Sequence, residues 1–370
     1  MSRSTEYPGT PPTGAGNTGA ENTGAGNPPP QLRPADVPGP APSGPTPHPA
    51  GARSDEPAIQ VDQLTRSFGS VHAVQSLSMQ VPRGAVTALV GPNGCGKSTL
   101  MLMLVALLAP DHGEIRVLGT DPAREPAAVR ALVGWMPDQF GAWDSLTVRE
   151  VLAVVGEAYF LPRGVIRDRV PELLEKLDLV PLADQPAHVL SRGQKQRLGL
   201  ARALMPQPEV LILDEPASGL DPAARRRLLG IVRGFAADGG SVLVSSHILS
   251  ELEEMADHVV FMDQGRVTDQ ASVRSLASRA RPWRIQSIDE GRLRAACEQL
   301  GVPVRSAESA SRTASGHAEA VVTLPDEATA VRLLADLTRA DAGVIGFGPA
   351  AGRLESAYLQ SDAARRQGAL

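Results

Sequence analysis

A chain of 370 residues with 42% hydrophobic and 21% charged side chains has an ordinary globular composition and room for two modest domains. Its formal charge of −5 argues against a molecule whose main task is neutralising nucleic-acid phosphate, so no nucleic-acid partner is expected. Cys95 and Cys297 lie far apart, which excludes a disulfide framework or a CxxC metal site and fits a reducing, cytoplasmic setting.

Residues 1–57 are dominated by Pro, Gly, Ala, Asn and Thr, and Thr-Gly-Ala-Gly-Asn at 13–17 recurs at 23–27. Such a segment cannot bury enough apolar surface to offset its ordering entropy, so it reads as a disordered extension, solvated or serving as a recruitment tail. Alternating runs over 58–65 and 74–81 and the apolar run 85–90 read as strands, the last ending in a glycine-rich turn with a helix starting near Lys97. The longest apolar run, 100–109, is about half of the roughly 20 residues that a membrane-crossing helix needs, and the N-terminus lacks a basic stretch before an apolar core. If the protein serves a membrane, it must do so through a partner.

Helical patterns dominate 147–205, and short apolar strands at 209–213, 241–245 and 258–262 alternate with helical segments, an α/β core with a helical insertion. Beyond 280 the order is strand (283–288), helix (290–300), strands (302–306 and 317–324), helix (326–340) and strand (343–347). That is a small α+β domain of the split βαβ type without a catalytic constellation. The expected organisation is a disordered extension over 1–57, an α/β core over 58–280, an accessory domain over 281–357 and a flexible tail over 358–370.

Gly91, Pro92, Asn93, Gly94, Cys95, Gly96, Lys97, Ser98 and Thr99 contain the G-x-x-x-x-G-K-[ST] pattern between a predicted strand and a predicted helix. The glycines let backbone N–H groups turn toward a polyphosphate, and the helix N-terminus adds partial positive charge. Lys97 is expected to reach the β- and γ-phosphates of ATP, and the Ser98 hydroxyl to ligate Mg²⁺; Cys95 reads as a packing residue within the loop. Val210-Leu-Ile-Leu-Asp214-Glu215 is a buried strand ending in two carboxylates. Asp214 is placed to hold Mg²⁺ through water, and Glu215 to polarise an attacking water. An acidic pair after a strand is common, and the upstream phosphate loop is what gives it this meaning.

Between the two lies Leu190-Ser191-Arg192-Gly193-Gln194, heading a helical pattern. Ser-x-Gly-Gln at a helix start offers a hydroxyl, a backbone N–H and a helix dipole to an anion, although an ordinary capped helix has the same look. In this order and spacing it resembles the signature motif of ABC ATPases. Ala217-Ser218-Gly219-Leu220-Asp221 resembles their D-loop, Ser245-Ser246-His247 resembles their switch histidine, and Phe68 in Leu-Thr-Arg-Ser-Phe-Gly takes the place of the aromatic that stacks on adenine, where a core Phe is the alternative.

The resemblance covers residues 58–270. It implies an α/β fold: a P-loop ABC-type ATPase core with an antiparallel β subdomain and helical insertion, joined here to the small C-terminal α+β domain. It implies two such domains sandwiching two ATP molecules head to tail, with Ser191, Gly193, Gln194 and Asp221 completing the partner's site and His247 contacting the γ-phosphate. Two positions depart from the commonest pattern: Arg192 stands where Gly is usual, and Gly134-Trp-Met-Pro-Asp138-Gln139 puts Asp138 at the Q-loop position, where Asp138 could join the Mg²⁺ site and Gln139 is the neighbouring candidate. Both resemble bacterial ABC-2-type exporter ATPases, which implies export through a separate transmembrane permease, a homodimer in which a second copy supplies the other nucleotide-binding domain, and a cytoplasmic place at the inner face of the membrane. Residues 150–161 would carry the docking surface, or simply pack on their own core. The alternative is a soluble ABC-type ATPase of DNA repair or translation, whose relatives carry long coiled coils or tandem nucleotide domains that do not occur in this sequence.

Overall fold

The computed structural model describes residues 56–138, 145–246, 248–276, 279–303 and 317–359. Nearly all of the extension expected over 1–57 lies outside them, as do Gln139 and His247. In chain order the first half contains β1 (Ile59–Phe68), β2 (Val71–Val81), β3 (Val86–Val90), α1 (Lys97–Leu104), β4 (His112–Val117), α2 (Pro126–Leu132), β5 (Val133–Met136), α3 (Val148–Ala158), α4 (Arg163–Lys176) and α5 (Arg192–Leu204). There follow β6 (Val210–Leu213), α6 (Pro222–Ala237), β7 (Ser241–Ser245), α7 (Leu249–Met255), β8 (His258–Asp263), β9 (Arg266–Ser272) and α8 (Val273–Leu276). The last part adds β10 (Arg281–Ser287), α9 (Glu290–Gln299), β11 (Ala318–Leu324), α10 (Glu327–Arg339) and β12 (Val344–Pro349).

The central sheet has the order β5-β6-β7-β3-β8-β9 and is parallel except for the final β8·β9 pair. β3, β6 and β7 are buried at every position, as strands covered on both faces must be, which is why they read as short uninterrupted apolar runs. One face carries α3 to α6 and buries a cluster that includes Leu152, Leu173, Leu211 and Val244. The opposite face packs on α1 and on an antiparallel sheet of order β2-β1-β4, burying Ile59, Leu77, Leu100 and Val260. In β1 the alternation of buried Ile59 and Val61 with exposed Gln60 is the period-2 signal of a half-covered strand.

Because β5, β6, β7 and β3 run parallel, their carboxyl ends and the loops that follow open at one edge of the sheet, where open α/β sheets bind ligands. The helical insertion starts with a capping box: Thr147 Oγ1 accepts from Glu150 N at 3.2 Å, and the Glu150 carboxylate accepts from Thr147 N at 2.8 Å. Those bonds hold the Glu150 carboxyl below its usual range, with the Thr147 N–H as the main cause.

The C-terminal sheet has the order β11-β10-β12, with β10 antiparallel to both neighbours. β11 and β12 therefore run in the same direction on either side of β10 and are linked through α10, a split βαβ arrangement. Of the strand expected at 302–306, Val302 and Pro303 are not in a strand, and the remainder lies outside the described residues. Residues 353–359 are helical, and Leu354 and Ala357 belong to the main core, while Tyr358 packs on Phe261 with ring centroids 6.2 Å apart. Of the flexible tail expected over 358–370, residues 358–359 continue this helix and the rest lies outside the described residues. Among the described residues no helix is long and apolar enough to cross a membrane.

Candidate functional site

The loop from β3 to α1 is shaped by glycines that have no room for a side chain. A Cβ on Gly91 would stand 2.2 Å from Met262 O, and one on Gly96, which has φ +103°, would stand 2.1 Å from Ala73 O. The loop thus wraps tightly against β8 and the start of β2. Lys97, nearly fully buried, donates from Nζ to the carbonyl oxygens of Gly91 at 2.8 Å and Pro92 at 3.1 Å, so the ammonium lies across the mouth of its own loop. Cys95 is buried in the loop, and burial pushes its thiol above the usual range despite the Lys97 charge, which suits a packing residue.

Asp214 follows β6 and joins three strands' ends. Its Oδ2 accepts from Ser98 Oγ at 2.8 Å, its Oδ1 accepts from Ser245 Oγ at 2.6 Å, and its backbone N–H donates to Met136 O at 2.8 Å. The Ser245 hydroxyl in turn accepts from Glu215 N at 3.0 Å. Glu215 takes φ +51°, a left-handed conformation uncommon for a side chain of its size, at the point where the chain turns out of β6. Ser98, Asp214 and Glu215 line one cleft of about 550 Å³ together with Lys97, Asn93 and Asp138.

Ser245 was legible only as the neighbour of a switch histidine, yet it is the hydroxyl that ties both carboxylate residues to β7. It is fully buried, so Ser245→Ala would take the Ser245 hydroxyl away from the Glu215 N–H and from Asp214 Oδ1, leaving the Asp214 carboxylate with Ser98 on Oδ2 alone. The expected result is a loss of about 1–3 kcal/mol of stability and slower ATP turnover, with Ser245→Thr milder than Ala. Thermal melts and steady-state rates on the two variants check it; an unchanged melting point for Ser245→Ala would remove Ser245 from this role.

Gln139 and His247 lie outside the described residues. The residues around position 247 are held: Ser246 Oγ donates to the buried Glu251 carboxylate at 3.3 Å and accepts from Ile248 N at 3.0 Å, and Glu251 also pairs with Arg225 at 2.8 Å. Phe68 is not in the lining of the cleft; it closes β1 opposite Val71, which is, and it is half exposed rather than part of the core. Val71 and His72 line the cleft, as do Gln264 and Gly265 from the β8–β9 turn. That turn braces the phosphate loop through Gly265 N to Cys95 O at 2.9 Å. None of these four carries a sequence signal, because the fold brings them together from segments far apart in the chain.

The signature residues stand apart from this cleft. Ser191 and Gln194 form a capping box at the start of α5, Ser191 Oγ accepting from Gln194 N at 3.3 Å and Gln194 Oε1 accepting from Ser191 N at 2.8 Å. Arg192 lies across Gly219, where an added Cβ would meet its Cδ at 2.7 Å, and donates to Ser218 Oγ. Gly193 faces Leu220, with 3.4 Å between a built Cβ and Leu220 Cδ2. Asp221 caps α6 by accepting from Ala223 N and Ala224 N, both at 2.9 Å, and the Ala224 N–H is the main reason its carboxyl sits below the usual range. Ser191, Gly193, Gln194 and Asp221 thus form a second surface on the same chain, built from α5 and the turn before α6.

A family model described as ABC transporter matches residues 74–218. The chain is 36% identical over 245 residues to the daunorubicin resistance ATP-binding protein DrrA3 of Streptomyces coeruleorubidus, covering 66% of this chain and 78% of that one. It is 41% identical over 212 residues to the Nod factor export ATP-binding protein I of Paraburkholderia xenovorans, covering 57% and 69%. A solved structure described as the ATP-binding subunit of an ABC transporter superposes with a TM-score of 0.56 at 30% identity, over 59% of this chain and 91% of that one.

Proposed function

The chain belongs to the family of ABC transporter ATP-binding proteins, and on that premise we propose that it hydrolyses Mg-ATP in a head-to-tail dimer to drive export through a separate transmembrane permease. The observation that carries the reading is the convergence on one carboxylate: Asp214 holds the hydroxyls of Ser98, from the phosphate loop, and Ser245, which also anchors Glu215. The roles of the individual residues are part of the proposal.

Magnesium fits this site, because a serine hydroxyl and a carboxylate are hard oxygen donors and the ion is usually held by one or two carboxylates plus phosphate oxygens. Ser98 and Asp214 would hold it, and when bound it would neutralise phosphate charge. The chain's own groups do the rest. Backbone N–H groups of the loop and the α1 N-terminus cradle the phosphates, Lys97 pairs with the outer ones, and Glu215 orients and polarises the attacking water. His247 would contact the γ-phosphate, and Phe68 would stack on adenine. Ser191, Gly193, Gln194 and Asp221 would face the nucleotide of a second copy, which explains why they lie away from the Lys97 cleft.

Export is supported by the names of the relatives, a daunorubicin resistance protein and a Nod factor export protein. The partner this reading requires is a separate transmembrane permease, which would hold the chain at the inner face of the membrane. The test is Mg²⁺-dependent ATPase activity of the purified protein, combined with affinity capture from detergent-solubilised membranes. A polytopic membrane protein captured in stoichiometric amount supports transport; capture of ribosomes or DNA-repair proteins instead supports the soluble alternative.

Asp138 lines the cleft with Ser98, Asp214 and Glu215, so a third carboxylate stands where an amide is the commoner residue. We expect Asp138→Ala to raise the Mg²⁺ concentration needed for half-maximal ATPase by about three- to tenfold, with Gln139→Ala comparatively mild. Rates measured against Mg²⁺ for both variants decide the matter, and the reverse ranking would assign the Q-loop role to Gln139.

A further inference from the structure

One carboxylate outside the phosphate site, that of Asp111, ties together two neighbouring residues of β1. Asp111 sits just before β4, where its backbone N–H donates to Thr65 O of β1 at 2.9 Å. Its side chain is shared between two neighbouring residues of β1: Oδ1 accepts from Arg66 Nη1 at 2.6 Å, and Oδ2 accepts from Ser67 N at 2.7 Å. Each of those residues then holds an aromatic ring. The Arg66 guanidinium lies over the Phe68 ring, 4.8 Å from its centroid, and Ser67 Oγ lies 2.9 Å from Nδ1 of His72, which lines the cleft.

We propose that Asp111 is a positioning residue for nucleotide binding, fixing Phe68 through Arg66 and His72 through Ser67. An isolated surface ion pair contributes little, because it must immobilise two long side chains for a screened attraction. Here the carboxylate is already fixed by the β1–β4 ladder and grips a backbone N–H as well as the guanidinium. The guanidinium covers one face of an otherwise half-exposed ring at the end of a hairpin. Phe68 is thereby held in one orientation before any base arrives, and the entropy of ordering it is not charged to binding. The same carboxylate keeps Ser67 in register to hold the His72 ring against the cleft wall.

This inference rests on the reading that Phe68 stacks on adenine, and its test separates the two. Dissociation constants for Mg-ATP and for Mg-tripolyphosphate, which has phosphates but no base, are measured by calorimetry on the full chain and on Phe68→Ala, Arg66→Ala, Arg66→Lys and Asp111→Asn. Phe68→Ala is expected to weaken ATP about tenfold and leave tripolyphosphate unchanged, the size of one base–aromatic stack. Arg66→Ala and Asp111→Asn are expected to weaken ATP about two- to fivefold, again without changing tripolyphosphate. Their double variant should be no worse than the poorer single one, and Arg66→Lys should recover part of the loss. A change in tripolyphosphate binding equal to that in ATP would show that the network only supports the fold and overturns the proposal. So would wild-type ATP affinity in Arg66→Ala and Asp111→Asn when Phe68→Ala is impaired. If Phe68→Ala itself binds ATP normally, the stacking reading fails and the proposal falls with it.

Discussion

Glu215→Gln is expected to bind Mg-ATP about as well as the parent chain and to hydrolyse it about a hundred- to ten-thousand-fold more slowly, the span that positioned general bases contribute. The substitution keeps the volume and the planar head of the side chain and removes only the charge and the basic oxygen. The backbone at this position is already held by the 3.0 Å bond from Glu215 N to Ser245 Oγ, which an amide side chain does not disturb. On the proposed assignment, phosphate affinity would come from the 91–99 loop and not from Glu215, so binding and turnover should separate. A variant that binds ATP but cannot turn it over should accumulate as a nucleotide-bound dimer, visible by size-exclusion chromatography with ATP and Mg²⁺. Single-turnover hydrolysis measures the chemical step directly, and a rate equal to that of the parent chain would take Glu215 out of the reaction.

The parts of the site that were legible in the sequence are those where geometry leaves few residue choices. Gly91 and Gly96 stand where a Cβ would collide with backbone oxygen at 2.2 and 2.1 Å, so the phosphate loop is written in glycine. The strand before Asp214 is covered on both faces and reads as an apolar run ending in two acids. β4, β5 and β9 were not anticipated. β5 is four residues long, and β4 and β9 are edge strands: β4 alternates over only Glu114 to Val117, with two buried apolar positions, and β9 has no buried position at all. The roles of Ser245, His72 and Asp111 were not legible for a different reason. Their roles depend on partners brought close by the fold, 31 positions away for Ser245 and Asp214 and 45 for Asp111 and Arg66, and a hydroxyl or carboxylate carries no mark of that in its own neighbourhood. Arg192 was legible as a departure from the family pattern but not as a contact. Its side chain is accommodated because residue 219 has no Cβ and φ +76°, which leaves room for the aliphatic part to lie flat against the turn.

Lys97→Ala is expected to abolish measurable ATP turnover and to weaken ATP by about one to two decades, the size of one charge-assisted contact of ~1.5–3 kcal/mol. The argument starts from what holds the ammonium. Its partners are the neutral carbonyl oxygens of Gly91 and Pro92, so its charge is oriented by the loop without being cancelled by a carboxylate there. A polyphosphate entering the cleft finds a desolvated, pre-aimed cation, and exchanging weak carbonyl bonds for phosphate bonds favours the bound state. The contact gains most where negative charge is largest, on the outer phosphates, and so the substitution should penalise ATP more than AMP. Lys97→Arg is a sharper probe of shape, because a planar guanidinium cannot occupy the narrow space between two adjacent carbonyls as a compact ammonium does. We expect it to keep part of the affinity and lose most of the turnover. Calorimetry with ATP, ADP and AMP, run beside thermal melts to show that both variants are folded, checks the ranking; normal turnover by purified Lys97→Ala would refute the assignment of Lys97 to the phosphates.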